Sequence, residues 1–548
     1  MLTNLALGER KKIYLIMAFI SLILFFLAVW KVSPVIVEPS APLGLASYLP
    51  VTYWIGFALI MITGVLAILD KELKKDAIFI FILIVISLFV SGIAVFIQEN
   101  ATEPDAYTHF PGVYDLLKTN HLNINVPQAL ESYNSWPVYH FLSAAMLAIT
   151  NVGFTLVKYV PLVWLLFLIL VTYSTGKRVN LAPNYCFLLS SLAVLSFWIG
   201  VNEYTPRLLG MILLLTIFML ILNPQKNIGE YIASMVLFSA LVMTHGTSSI
   251  AAVFAITLLS IYKRDPILII FFIMVFAAWQ IYESPLMFKE GILSIRANML
   301  NIFEVTHLEN YQSATSTGRL AGRYSQLGYL VIYAVSMLGV VFSLMTHKIK
   351  SASRKYVLTL FFWIIGTGAM LLIASGQEVT RTYSFLVVPL ACIICLAFIN
   401  WKILIPIMCI FSILFPLARY STVASWGQVL TTELKGSEFW ANRDINEAYF
   451  AENYSDPALI MHYNRNMLTY TYYSPNNIST MGEKTANDAL NAIPYIILSK
   501  QGDDALTLGM KVNPYTAWLQ TENGGKSSLI YNNGYFQIYR NNYVSSKA

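Results

Sequence analysis

Charge is scarce in this chain. Only 12% of its 548 residues are Asp, Glu, Lys or Arg, about half the share of an ordinary soluble domain. With 57% hydrophobic residues and a mean hydropathy of +0.62, the composition is that of a polytopic membrane protein. Cysteine is nearly absent as well. The four present, Cys186, Cys392, Cys395 and Cys409, fall inside apolar runs, which excludes a disulfide framework. Cys392 and Cys395 spell C-x-x-C, yet without a βαβ context that spacing reads as packing rather than redox chemistry. The chain shows no glycine-rich phosphate loop, zinc-ligand spacing or Ser-His-Asp arrangement, so nothing in it reads as a cradle for a soluble nucleotide. The net charge of +6 is carried mainly by short loops, which speaks against a nucleic-acid surface.

What the chain does have is a series of apolar runs, most near the roughly 20 residues that cross a 30 Å hydrocarbon core as a helix. Over such runs the helix satisfies every backbone polar group within the segment. The spans read as 13–30, 52–69, 77–97, 157–175, 183–200, 206–222, 229–244, 247–262, 266–282, 327–346, 356–375, 383–399 and 403–419. The first is too long for a signal-peptide core and lacks a clear cleavage site, so it reads as a retained helix. Arg10, Lys71, Lys74, Lys75, Lys177, Arg178, Lys263, Arg264, Lys348 and Lys350 all fall on one side if about 13 spans follow a cytoplasmic N-terminus. The expected fold class is an α-helical polytopic protein of the cell membrane over residues 1–420, with 421–548 extracytoplasmic.

Three regions lie outside on that topology. The loop 98–156 contains "EPDAYTHFPGVYDLL" and "WPVYHFLSAAMLAITNVGF". Val113, Tyr114 and Leu117 stand at helical spacing after Pro111, which predicts a short amphipathic helix. The Trp136 segment is short and carries His140, and counting it as a crossing would reverse every later loop, so it reads as an interfacial or re-entrant helix. A second outer loop spans 283–326. Beyond 420 the composition turns rich in Asn, Tyr, Ser and Gly. The strand-like pieces 458–463, 495–500, 528–533 and 535–540, with a helical pattern in "TANDALNAI", predict a small α/β domain. "IYNNGYFQIYR" is a hairpin by its Asn-Gly turn. The N-x-[ST] sequons at Asn100, Asn453 and Asn477 also fall outside.

Ionisable residues cluster at this outer edge, where they are costly unless they face a cavity. They are Asp105, His109 and His140 in the first loop, Glu203 and Arg207 at the mouth of the sixth span, and His245 between spans seven and eight. Arg319 and Arg323 precede span ten, and Glu378 and Arg381 stand at the mouth of span twelve. Acid with histidine suits a base or a divalent-cation site, and arginine suits a phosphate. Blander readings exist for most: Arg319 and Arg323 as headgroup anchors, Glu203 and Arg207 as an i,i+4 ion pair, His245 as an interfacial residue.

The run Asp105-Ala106-Tyr107-Thr108-His109 resembles the acid–aromatic–histidine motif of membrane oligosaccharyltransferases, which often runs Asp-x-Tyr-Tyr-His. "SWPVYHFLSAAMLAIT" is similar to the interfacial helix of the mannosyl- and aminoarabinose-transferase branch, and "RTYSFLVVPLA" at 381–391 resembles the arginine–tyrosine start of a late span. Together they look like the GT-C superfamily of polytopic glycosyltransferases. Thr108 stands where the second aromatic is often found, and the C-terminal region lacks the Trp-Trp-Asp-Tyr-Gly with which oligosaccharyltransferases read an acceptor sequon. The spans within 13–69 are additional to the usual plan.

The resemblance implies an inverting glycosyltransferase that takes its donor sugar from a polyprenyl or dolichyl phosphate in the bilayer. The acceptor would be an extracytoplasmic glycan, lipid or protein. Asp105 would be base or metal ligand, helped by His109 and Glu203, and Arg381, Arg323 and Arg319 would hold the donor phosphate. Tyr107, His140, Arg207 and His245 would line the pocket, and a divalent cation (Mg or Mn) would sit at Asp105 and His109. The alternatives are a polysaccharide polymerase or ligase and a transporter or flippase. The last would need polar groups near the bilayer midplane and, commonly, inverted repeats, neither of which the sequence shows.

Overall fold

The computed structural model of the chain describes residues 7–38, 41, 43–101, 105–122, 134–151, 157–195, 204–222, 227–284, 316–345, 351–372, 377–398, 428–442, 449–451, 494–500, 519 and 527–542. The bundle begins with α1 (Leu7–Val32) and α2 (Val51–Leu69), which pack together as a hairpin. The next run bends. α3 (Asp76–Ser87) passes through a π-helical turn at Leu88–Gly92 into α4 (Ile93–Ile97). Such a turn loosens the helical ladder, and the Phe89 carbonyl accepts from the Tyr53 hydroxyl at 2.8 Å. Short helices α5 (Asp105–Thr108), α6 (Phe110–Thr119) and α7 (Pro137–Thr150) follow.

The bundle resumes with α8 (Val160–Arg178), α9 (Pro183–Val194), α10 (Pro206–Ile221), α11 (Ile228–Val242), α12 (Gly246–Lys263) and α13 (Pro266–Tyr282). Five of the helices from α7 to α13 carry Pro in the first turn besides α6, where its missing N–H breaks no helical bond. α14 (Ser316–Met345), α15 (Ser351–Gly368) and α16 (Gln377–Ala397) complete the described bundle. α14 starts well before the apolar run at 327, so the end of the expected outer loop is helix. Among the described residues, five helices are long and apolar enough to cross a membrane: Leu7–Val32, Val51–Leu69, Asp76–Ile97, Val160–Arg178 and Gly246–Lys263.

One continuous apolar core runs through this bundle. Its outer surface is apolar too: Ile16, Phe19, Ile23 and Phe26 on α1, and Ile267, Ile270 and Met274 on α13, are exposed. In water such a surface would aggregate; against lipid it is the expected face. Cys186, Cys392 and Cys395 are buried thiols inside the core, as their apolar setting predicts. A smaller core joins α5–α7 to Tyr204, Val429 and Leu434.

α17 (Thr431–Ala441) lies against a four-stranded sheet of order β1-β2-β4-β3, with β1 (Tyr449–Ala451), β2 (Tyr495–Ser499), β3 (Ser527–Asn532) and β4 (Phe536–Asn541). β1 and β2 run parallel and the other pairs antiparallel. The Asn-Gly hairpin between β3 and β4 is present, with Gly534 at φ 94°. The pairing slips between Leu529 and Tyr531, a bulge that alternation alone does not announce. The expected strand 458–463, the helix in "TANDALNAI" and the span 403–419 lie outside the described residues.

Candidate active site

The segment "DAYTHFPGVYDLL" folds as α5 and α6. α6 stops at Asn120, whose φ of 55° turns its N–H back onto the Leu116 carbonyl at 2.9 Å. α7 is punctuated the same way, by Pro137 at its start and Asn151 at φ 51° at its end. These are the residues that tolerate a left-handed cap. The two helices pack on each other, and α7 is tied to the bundle where the Val138 N–H donates to the Met243 carbonyl at 3.2 Å. Phe141 and Ile149 on its far side are exposed.

Between them lies an aromatic cluster. The His109 ring stands 5.3 Å from that of Tyr139 and 6.4 Å from that of His140. His109 and His140 are both buried. Tyr139 donates to the Tyr204 carbonyl at 2.9 Å, and Ser143 bonds the Tyr204 hydroxyl and donates to the Tyr139 carbonyl at 2.6 Å. Burial pushes the Tyr204 phenol up to about 12, against the opposing pull of Ser143 and Tyr139. Trp136 reaches to 6.3 Å from the His245 ring. His245 caps α12: its Nδ1 accepts from the Ser248 N–H at 3.3 Å and pairs with the Ser248 hydroxyl at 2.8 Å.

The close packing depends on missing side chains. A Cβ on Gly112 would lie 2.8 Å from both His140 Cδ2 and Asn134 Oδ1, one on Gly246 2.7 Å from the Trp136 ring, and one on Gly210 2.8 Å from His245 Cβ.

The C-terminal segment closes over this loop. Asn100 Nδ2 donates to the Val429 carbonyl at 2.9 Å and to Thr431 Oγ1 at 3.1 Å, while the Thr431 N–H donates to Glu99 Oε2 at 3.0 Å. The Val37 N–H donates to Gln428 Oε1 at 3.1 Å. Asn100 thus spends its amide on holding the chain, a use that its sequon does not reveal. The Glu433 carboxylate is buried and accepts from the Leu430 N–H at 2.8 Å, closing the first turn of α17. Tyr107 is fully buried and donates to the Ala101 carbonyl at 2.9 Å. Burial, reinforced by the nearby Glu433 and Glu99 carboxylates, pushes its phenol well above its ordinary value, so it remains a donor.

Of the candidates from sequence, His109, His140 and His245 are brought to one end of the bundle with Tyr107, and Arg207 is half-buried in the first turn of α10. Asp105 opens α5. Its side chain, those of Arg319, Arg323 and Arg381, and the whole of Glu203 lie outside what is described. Asn453 and Asn477 do as well. Among the described residues no group of three His, Cys, Asp or Glu could hold a metal ion, so they do not by themselves complete a cation site. Sequence reasoning passed over Tyr139, Tyr204 and Trp136, although Trp136 and Tyr139 stand in the quoted segment that carries His140, and Tyr204 follows Glu203.

No protein-family model and no curated protein sequence matches the chain. Solved structures do. The oligosaccharyltransferase of Archaeoglobus fulgidus, tethered to an acceptor peptide containing the NVT sequon, superposes with a TM-score of 0.52 at 10% identity, over 86% of this chain and 74% of that one. The same enzyme in complex with Zn and sulfate gives 0.50 at 12% identity, over 84% and 73%. This chain has the GT-C fold. ArnT from Cupriavidus metallidurans bound to undecaprenyl phosphate gives 0.46 at 10% identity, over 85% and 97%. Within the GT-C fold, helices α5–α7 and the segment from Gln428 meet at one end of the bundle.

Proposed function

We propose that the protein is a membrane glycosyltransferase that moves a sugar from a polyprenyl- or dolichyl-phosphate donor to a glycan, lipid or protein acceptor on the extracytoplasmic side. The observation that carries this reading is the Asp105–His109 segment: an acid–aromatic–histidine run, in a chain of GT-C fold, whose Tyr107 is buried beneath the C-terminal segment. The thirteen-span topology with the N-terminus cytoplasmic, and the residues after 420 as an extracytoplasmic domain, belong to the same proposal.

In the proposed reaction the acceptor oxygen or nitrogen attacks the anomeric carbon from the face opposite the lipid phosphate. Its proton passes to the Asp105 carboxylate, and the bond between the anomeric carbon and the phosphate oxygen breaks. The sugar's configuration inverts. The leaving lipid phosphate keeps the electron pair, and the guanidinium of Arg381, with Arg323 and Arg319, holds the charge that develops there. His109 and Glu203 orient the carboxylate. His140, Arg207 and His245 line the pocket, and Tyr107 fixes the loop from below. Asp105 and His109 are the residues that would hold a divalent cation, which would supply further charge stabilisation at the phosphate; no step depends on it.

The test is Asp105→Asn in purified protein, read as release of polyprenyl phosphate from a panel of polyprenyl-phosphate-linked sugars. The variant keeps the shape and loses the base, so turnover should fall by about a hundredfold or more at an unchanged melting temperature. Undiminished release from a folded Asp105→Asn protein overturns the assignment. The topology has its own check. A cysteine at position 450 should react with a membrane-impermeant maleimide on intact cells, and one at position 74 only after permeabilisation.

A further inference from the structure

The end of the bundle opposite α5–α7 holds a cavity of about 500 Å³ lined by Ser174, Lys177, Arg178, Asn180, Met219 and Tyr356. α8 supplies the first three, the turn after it Asn180, α10 Met219 and α15 Tyr356. Two of the six are cations and none is an acid. Their counter-charges belong to neighbouring elements: Lys177 meets Asp76 at 3.2 Å, and Arg178 meets Glu230 on α11. Asp76 also accepts from the Tyr173 hydroxyl at 2.8 Å, so its charge is shared between two donors. The Lys177 ammonium, bonded to both oxygens of Asp76, carries a third N–H, and its side chain is 46% exposed. Asn180 donates to the Tyr356 hydroxyl at 3.3 Å, which leaves that hydroxyl's own proton to give.

The position selects the kind of anion. Lys177 and Arg178 close the last turn of a membrane-length helix. Ile228 and Ile261, at the same end of α11 and α12, expose their side chains as at an apolar border. Met219 adds an apolar wall. A site with a cationic rim, neutral donors and an apolar flank at the end of a spanning helix matches a lipid headgroup better than a freely diffusing ion.

We infer that this cavity binds the phosphate of an anionic membrane lipid, held between Lys177 and Arg178 with Asn180 and Tyr356 as neutral donors. The experiment is native mass spectrometry of the detergent-purified full chain, stripped of lipid and then given phosphatidylglycerol or phosphatidylcholine. Phosphatidylglycerol should be retained over phosphatidylcholine, and Lys177→Gln/Arg178→Gln should lower its occupancy about tenfold or more. Because those changes strand Asp76 and Glu230, a second variant keeps every charge. Ser174→Trp fills the cavity and should cause the same loss. Lys74→Gln/Lys75→Gln, which removes two exposed lysines at the same end, should leave retention unchanged. Equal retention by wild type and Ser174→Trp overturns the site. An equal loss in Lys74→Gln/Lys75→Gln reduces it to the general charge of that end and overturns it too. Displacement of the lipid by an equal concentration of soluble glycerol 3-phosphate overturns the lipid assignment.

Discussion

At one end of the helix bundle Arg10, Lys177 and Arg178 meet Asp70, Asp76 and Glu230 in ion pairs. At the other, His109, His140 and His245 are buried among Tyr139, Tyr204 and Trp136. The first arrangement uses full charges at the helix ends, from the buried Arg10–Asp70 pair to the half-exposed Lys177–Asp76 pair, and only the exposed one is cheap and loosely specified. The second places half-polar rings under cover, where each needs a shaped neighbour, and glycines clear the room. Polar residues beside lipid can therefore serve two purposes. Ion pairs hold the helix ends in place, whereas the aromatic end builds a surface of fixed shape next to Asp105.

The contrast can be broken from the aromatic side first. Gly436 faces Phe536, whose ring would lie 2.3 Å from an added Cβ. Gly436→Ala should therefore lift α17 from the sheet and cost about 2–3 kcal/mol, seen as faster limited proteolysis after residue 428. Gly112→Ala comes next. The better helix propensity of alanine offsets up to about 1 kcal/mol, but the contact with the buried His140 ring remains. Stability should change by no more than about 1–2 kcal/mol, while transfer falls further than stability does. Unchanged transfer would separate His140 from the reaction.

Smaller effects are expected at the charged end, and they should differ between its pairs. Arg10 also meets Glu72, and Asp70, which in addition accepts from Tyr14 at 3.2 Å, is almost wholly buried. Arg10→Gln strands that carboxylate and should lower the melting temperature clearly. Lys177→Gln removes a pair whose side chains are 46% and 44% exposed and should change stability by only about 0.2–1 kcal/mol, less still in high salt. A loss equal to that of Arg10→Gln would show that burial does not rank these pairs.

Much of the fold was legible because lipid imposes a simple rule. An apolar run of sufficient length must close its own hydrogen bonds, and the runs at 13–30, 52–69, 77–97, 157–175 and 247–262 return as helices of spanning length. The Asn-Gly pair placed the β3–β4 hairpin because the turn needs a positive φ, here at Gly534, that few other residues adopt. The π-helical turn at Leu88–Gly92 was not legible. There the Phe89 carbonyl takes a bond from the Tyr53 hydroxyl of α2, a partner that local hydropathy cannot register. Nor did the sequon at Asn100 disclose that its amide is bound to Val429 and Thr431, 329 and 331 residues away along the chain.

For the candidate site, composition and local pattern identified which residue types stand at the ends of the runs, since charge and histidine are rare enough there for each to be conspicuous. His109 and His140 could be named singly on that ground. Only the tertiary structure decided that their rings lie 6.4 Å apart with Tyr139 beside both, because that distance is set by α6 packing on α7 through Gly112. It also decided that Tyr107 is a buried support, bonded to Ala101 and lying near Glu433, a residue that no local window includes. Hydropathy is a property of each segment alone, so the sequence determined the helices; a site is a property of several segments at once, and packing alone brought them together.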